Sequence, residues 1–263
     1  MAAPALTIGY VELLRKNTSF RRLWAGNVVS LFGDWFNTIA LYSLILTLTG
    51  SEFALGAVFI TKMLPWAFAA PVAGVLVDRF DRRKIMIVSD VLRAVIVLGF
   101  LLIDEPDEVY IVYVLIGLQV VVGSVFQPAR TASIPNVTKP HELLTANTVM
   151  AATWSVVLAF GAALGGFAAD VLGLNAVFLI DSGSYLVSAV FIYRTTIPQA
   201  TVKKTEGSVL KIAYADVMQG WRHIRAAPQI RRISLAKAAW GLGGGASVYM
   251  LALLGEQLSP DRQ

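Results

Sequence analysis

Seven runs of about 18–27 residues, apolar throughout except for isolated polar positions, recur along this chain. They span residues 23–49, 53–77, 85–103, 109–126, 144–169, 176–193 and 233–254. At a rise of about 1.5 Å per residue, each is long enough as a helix to cross a hydrocarbon layer about 30 Å thick. Within lipid every backbone N–H and C=O must be paired internally, so only helices or a closed barrel can span. Barrel strands alternate apolar and polar positions, and these runs do not. The expected fold is therefore an all-α membrane protein. Composition agrees: 56% of residues are hydrophobic and 15% charged, whereas soluble domains carry about a quarter charged residues. A water-soluble fold of 263 residues has too little interior to hide so much apolar surface.

Enzyme signatures are missing from the sequence. It has no cysteine, hence no disulfide framework and no thiolate metal site. His141 and His223 are far apart, and no phosphate loop, Gly-x-Ser-x-Gly elbow or metal-ligand spacing occurs. Neither an enzyme nor an ATP-driven pump is expected, and no cofactor. Any transport would run on an ion gradient, or down the substrate's own gradient. The net charge of +5 would suggest nucleic acid in a soluble protein, but here the basic residues collect between the apolar runs. The expected partner is the lipid bilayer, with no nucleic acid. The first apolar run is too long for a cleaved signal, and Asp34 interrupts it.

The loops assign an orientation. Arg15, Lys16, Arg21 and Arg22 precede the first run; Arg79, Arg82, Arg83 and Lys84 follow the second; Arg130 and Lys139 follow the fourth; Arg194, Lys203, Lys204, Lys211, Arg222, Arg225, Arg231 and Arg232 follow the sixth. The loops after the first, third and fifth runs hold no Lys or Arg, and the third is acidic: Asp104, Glu105, Asp107 and Glu108. Positive loops stay inside. This predicts a multi-pass protein of the cell inner membrane with a cytoplasmic N-terminus. Residues 1–193 form a six-helix bundle, 194–232 a cytoplasmic linker, and 233–263 a seventh transmembrane helix with a short tail. In the linker, Val209, Ala213, Val217, Trp221 and Ile224 fall on one helical stripe, with Lys211, Arg222 and Arg225 off it. That pattern suits a linker helix on the membrane surface, or a lipid-binding regulatory one. A faint internal repeat is also present. Gly74 precedes Asp78 and then Asp90, as Gly166 precedes Asp170 and then Asp181, in the manner of an inverted three-plus-three repeat.

Charges inside the runs are the candidate functional groups, because a charge at bilayer depth is costly. Asp34 lies near the middle of the first run, with Asn37 and Asn27 one to two turns away. It reads either as a proton-coupling or cation-binding carboxylate, or as a structural one. Lys62, mid-way along the second run, could neutralise Asp34. Asp90 and Arg93 are three apart, share a helix face and can pair. They lie near enough to the cytoplasmic end to snorkel. Asp181 reads equally as a structural partner or a ligand. Gly161 and Gly165 make a GxxxG face, with Gly166 beside it, for close helix packing.

The loop after the second run reads Gly74-Val-Leu-Val-Asp78-Arg79-Phe-Asp81-Arg82-Arg83-Lys84. Asp78 and the arginines could pair across the helix junction, or merely mark a cytoplasmic turn. The loop resembles the signature loop of the major facilitator superfamily, and it stands at the matching place between the second and third spans. Leu48-Thr-Gly-Ser51, Ala54-Leu-Gly56, Phe126-Gln-Pro-Ala-Arg130 and Leu143-Leu-Thr-Ala-Asn147 resemble the drug, macrolide and siderophore efflux branch. Asp81 stands where the broader superfamily prefers glycine. The resemblance implies the six-helix N-terminal bundle of the major facilitator fold plus a seventh helix, the first of a second bundle. It implies a proton-coupled exporter (an antiporter of the multidrug-resistance kind) for an amphipathic small molecule. It also implies a cytoplasmic gating group of Gly74, Asp78, Arg79, Arg82 and Arg83, backed by Asp90, Arg93 and Arg130. The competing expectation is a truncated, non-transporting protein, or a half-transporter that needs a second chain or the missing C-terminal half. A seven-helix retinal protein is disfavoured, since Lys237 would lie too near the interface.

Overall fold

A computed structural model describes residues 8–199, 208–239 and 241. The described residues of the first unit, which ends at Glu206, form eight α-helices with two short 3-10 turns and no strand. A short helix α1 (Tyr10–Lys16) leads into α2 (Thr18–Thr49), α3 (Glu52–Arg79), α4 (Arg82–Leu98), α5 (Val109–Gly123), α6 (Phe126–Val137), α7 (Leu143–Leu172) and α8 (Leu174–Tyr193). Among the described residues six stretches are long and apolar enough to span a membrane: Thr18–Thr49, Glu52–Arg79, Arg82–Leu102, Pro106–Val137, Leu143–Leu172 and Leu174–Tyr193. Five of them match the sequence-predicted spans to within a few residues. The fourth differs: helix continues past residue 126 to Val137 after a break at Ser124 and Val125. Hydropathy falls there, yet α6 keeps Phe126, Ala129 and Ile134 buried, so packing extends the helix where lipid no longer demands it.

The helix ends are set by local chemistry. The Asn17 side chain accepts from Phe20 N at 2.9 Å and caps α2, while its amide donates to Val137 O and Glu142 Oε2. At the other end Gly50, at φ 58°, takes the left-handed turn that closes α2, and Ser51 caps α3. Asp81 caps α4 by accepting from Lys84 N at 3.0 Å. Pro65 and Pro71 lie inside α3 without breaking it. On α1, Lys16 bonds Glu12 at 2.5 Å, which holds that carboxyl below its ordinary range.

Two apolar clusters hold the bundle at opposite ends. One gathers Leu13, Phe20, Leu23, Met86, Phe126 and Ile192; the other gathers Leu41, Ile45, Val97, Phe100, Ile116 and Phe178. On α2, Asn27, Ser30, Asp34 and Asn37 fall between the two clusters; on α4, Asp90 and Arg93 do. In lipid, burying apolar surface between helices gains little over burying it in acyl chains, so close packing and interhelical polar contacts carry more of the association. A Cβ at Gly161 would sit 2.9 Å from Trp35 Cβ, and one at Gly165 3.1 Å from Phe36 Cα. These two glycines let α7 lie against α2. Gly166, grouped with them from sequence, has nothing within 4 Å of its Cβ position. It is one residue further round the helix and points off the contact, so it takes no part in that packing.

The second unit begins at Gly207. Its helix α9 (Val209–Ala226) carries the predicted stripe, with Ala213 buried and the Arg225 guanidinium 4.9 Å from the Trp221 ring. Residues 228–239 are helical. Most of the predicted seventh span, 233–254, lies outside the described residues.

Candidate functional site

The polar layer centres on Arg93. Its Nη2 bonds Asp90 Oδ1, and its Nη1 lies 3.7 Å from Asp34 Oδ1. The guanidinium lies over two aromatic rings, 4.2 Å from the centre of Tyr185 and 4.7 Å from that of Phe126. Two aromatic faces and two carboxylates thus hold one planar cation, an arrangement suited to arginine rather than lysine. From sequence, Arg93 and Asp90 are an i,i+3 pair near enough to the cytoplasmic end to snorkel; the pair forms, but it does not snorkel. Instead the Arg93 side chain is 7% exposed and that of Asp90 0%. The second carboxylate, on α2, turns the arginine inward. Asp34 differs from both, with 39% of its side chain exposed; it is the member of the cluster that opens outward.

Three further side chains extend the layer. Tyr185 on α8 donates its hydroxyl to Asp34 Oδ1. Gln119 Nε2 on α5 donates to Tyr185 Oη at 3.0 Å, and Asn37 Nδ2 on α2 donates to Gln119 Oε1 at 3.2 Å. The chain leaves α2 at Asn37 and returns to it one turn away at Asp34. Gln119 and Tyr185 were not singled out from sequence. Gln119 was discoverable as the one amide in the apolar run of α5, since a lone polar residue in a span needs a partner. Tyr185 carried no such signal, because tyrosine is ordinary in a span.

Lys62, proposed to neutralise Asp34, bonds Thr38 Oγ1 at 2.8 Å and lies 5.8 Å from the Tyr42 ring. Both partners lie one to two turns further along α2; Lys62 stays within electrostatic reach of Asp34, but the cation that pairs with Asp34 is Arg93. Thr38 in turn donates to the Asp34 carbonyl at 2.7 Å, which ties Lys62 to the backbone of that residue. Asp181 is fully buried beside Gly33: a Cβ there would meet Asp181 Oδ1 at 2.5 Å and Ser184 Oγ at 2.0 Å. Arg130, expected in a loop, lies on α6 and donates to Asn27 Oδ1 and, at 2.6 Å, to Gln127 Oε1. It is drawn inward because α6 is helical where a loop was expected.

The expected pairing of Asp78 with Arg82 and Arg83 does not form. Arg82 donates to Ala132 O at 2.8 Å and Asn136 Oδ1 at 3.0 Å on α6. Arg83 donates to Ile192 O and Tyr193 O at the end of α8 and stacks on the Tyr193 ring. The Arg83 acceptors are carbonyls of the last turn of α8, at the negative end of the helix dipole, where they compete well for guanidinium. Asp78 is left exposed at the end of α3, with Gly74 one turn earlier open to space and Arg79 half-buried beside it.

Residues 23–260 match the family described as Major Facilitator Superfamily. The chain is 29% identical over 182 residues to the uncharacterized MFS-type transporter YfiS of Bacillus subtilis strain 168, covering 69% of this chain and 43% of that protein. It is 27% identical over 182 residues to macrolide efflux protein A of Streptococcus pyogenes, covering 68% and 45%. The uncharacterized MFS-type transporter YkuC of Bacillus subtilis strain 168 is 23% identical over 257 residues, covering 94% and 59%. The chain thus spans about half the length of the curated relatives it matches. No solved structure matches. With six membrane-length helices around a buried polar layer and a family match over nearly its whole length, this chain belongs to the major facilitator superfamily of membrane transporters.

Proposed function

We propose that this chain forms one wall of a proton-coupled exporter of an amphipathic small molecule, with Asp34 as the proton site. The observation that carries the reading is the exposure contrast in the polar layer. Asp90 and Arg93 are sealed, while the Asp34 side chain at mid-helix is 39% exposed. A carboxylate at membrane depth beside a fixed guanidinium changes the charge of the site by one when it takes a proton. That change can bias two arrangements of a bundle. The substrate class is read from the efflux-type relative. The basic loops support an N-terminus on the cytoplasmic side of a cell inner membrane. They also put exposed Asp78 and its arginines on the cytoplasmic side, where they would latch against a second bundle. That bundle comes from further chain or from a second chain, because alternating access moves one bundle against the other.

The test is export driven by an imposed proton gradient in everted vesicles that hold the transporter with both bundles, using a panel of macrolides and lipophilic dyes. Asp34→Asn abolishes gradient-driven export while membrane level holds. Export that keeps its pH dependence in that variant overturns the assignment. Half-length relative to its relatives favours a second reading, in which residues 1–263 alone do not transport. Liposomes holding this chain alone then show no gradient-dependent dye movement. Movement lost in Asp34→Asn would show that the half suffices.

A further inference from the structure

We infer that Asn37, Gln119 and Tyr185 form a reversible hydrogen-bond wire whose direction is set by whether Asp34 carries a proton. The inference rests on the reading of Asp34 as the proton site, and it assigns a part to residues on α5 and α8.

Every donor in the chain points the same way. Asn37 donates to Gln119, Gln119 to Tyr185, and Tyr185 to Asp34. The reason is the last link. An ionised carboxylate only accepts, so the tyrosine hydroxyl must donate to it. Its oxygen then faces the Gln119 amide as an acceptor, and Gln119 in turn offers its carbonyl to Asn37. A hydrogen bond to a charged acceptor is about twice as strong as a neutral one, so the charge holds the whole chain in this sense. A neutral Asp34 can donate. Tyr185 then accepts from it and turns its own O–H to Gln119 Oε1, and the two amides rotate so that Gln119 Nε2 donates to Asn37 Oδ1. No proton leaves Tyr185; hydroxyl and amides only turn, the amides about terminal torsions that are broad and two-fold.

Two observations favour the switch over a static network. Asn37 is 2% exposed and its Oδ1 has no hydrogen-bond partner, so nothing pins the far amide in its present sense. The wire also begins and ends on α2, and between its ends it visits α5 and α8. A change at Asp34 therefore alters bonds on three helices without moving α2. Arg93 takes part from α4, since neutral Asp34 leaves it bound chiefly to Asp90. The other ionisable groups facing this point are Lys62 on α3, Arg130 on α6 and Asp181 on α8, all within electrostatic reach of Asp34. On α7 the one ionisable residue is Asp170, exposed at the helix end. Tyr113 on α5 bonds the Ala54 carbonyl and does not join the wire.

Infrared difference spectroscopy of the chain in lipid, titrated from neutral to acid pH, tests this without any transport measurement. The C–O stretch of a tyrosine depends on whether its hydroxyl donates to a charged or a neutral acceptor. The wild-type chain should show a pH-dependent tyrosine band that disappears in Tyr185→Phe, which keeps the ring over Arg93. In Asp34→Asn, neutral at every pH, the Tyr185 band should be present but independent of pH. Gln119→Met leaves Tyr185 and Asp34 intact but cuts the wire; it should shrink the pH-dependent change by more than half. A Tyr185 band that still changes with pH in Asp34→Asn overturns the inference, as does a wild-type band that never changes. A Gln119→Met spectrum identical to wild type overturns the wire beyond Tyr185. Proton-independent export together with a switching Tyr185 band would remove the transport reading and leave the wire standing. Export that requires Asp34 together with a static band would do the reverse.

Discussion

Arg93 binds two carboxylates from two helices at once, Asp90 on its own helix and Asp34 on α2, while its guanidinium packs on the rings of Tyr185 and Phe126. This geometry makes Arg93 the joint of the bundle as well as a part of its chemistry. Removing one partner of a buried pair leaves the other uncompensated, at a cost of about 3–5 kcal/mol.

Arg93→Gln should therefore lower the thermal unfolding midpoint of the purified protein in detergent more than any other single change in the polar layer. Asp90→Asn combined with Arg93→Gln should recover part of the loss, because the buried charge goes with its partner. Arg93→Lys should rescue poorly, since an ammonium cannot pack on two rings and reach both acids. A lysine variant as stable as wild type would show that charge alone matters here.

Gly33 and Gly166 should respond oppositely to the same substitution. A methyl at Gly33 would run into Ser184 Oγ and Asp181 Oδ1, forcing α2 from α8, whereas one at Gly166 meets nothing within 4 Å. Gly33→Ala should cost about 1–3 kcal/mol and reduce membrane yield; Gly166→Ala should be neutral or slightly stabilising through helix propensity. Adding Ser184→Ala to Gly33→Ala relieves the closest contact and should restore part of the yield. Equal yields for the two single variants would remove the packing argument.

At the end of α3, stability and any gating role should separate. Arg82 anchors α4 to α6 through two bonds, so Arg82→Ala should destabilise the isolated protein by about 1–3 kcal/mol. Asp78 is exposed and forms no ion pair among the described residues, so Asp78→Ala should leave the melting midpoint within about 0.5 kcal/mol of wild type. In the transporter with both bundles Asp78→Ala should still impair export. Full export in that variant would reduce the loop to a turn.

Orientation can be read from single cysteines placed in this cysteine-free chain. An impermeant thiol reagent applied to intact cells should label cysteine at Glu105 or Asn175 and spare Lys139. Labelling at Lys139 from outside would invert the topology.

The six membrane-length helices were legible in the amino-acid sequence because lipid imposes one local rule: a long apolar run must satisfy its own backbone, and a helix is how it does so. The charged positions were legible for a similar reason, as Asp34, Lys62, Asp90 and Arg93 stand out against apolar neighbours wherever they point. Asp90 and Arg93 could even be paired, since helical spacing alone brings residues three apart together. Which charges met across helices was decided by tertiary structure alone. Lys62 was the partner read for Asp34 from sequence, and the structure sets Arg93 against that carboxylate instead, because the depth at which α3 and α4 pass α2 is a property of the packed bundle. Tyr185 and Gln119 joined the site for the same reason. Asp78 lost its arginines to acceptors on α6 and α8, because those carbonyls and the Asn136 side chain become competitors only once the fold brings them near. Local periodicity is a property of one segment and can be read along it; a partner on another helix exists only after packing has set rotation and depth.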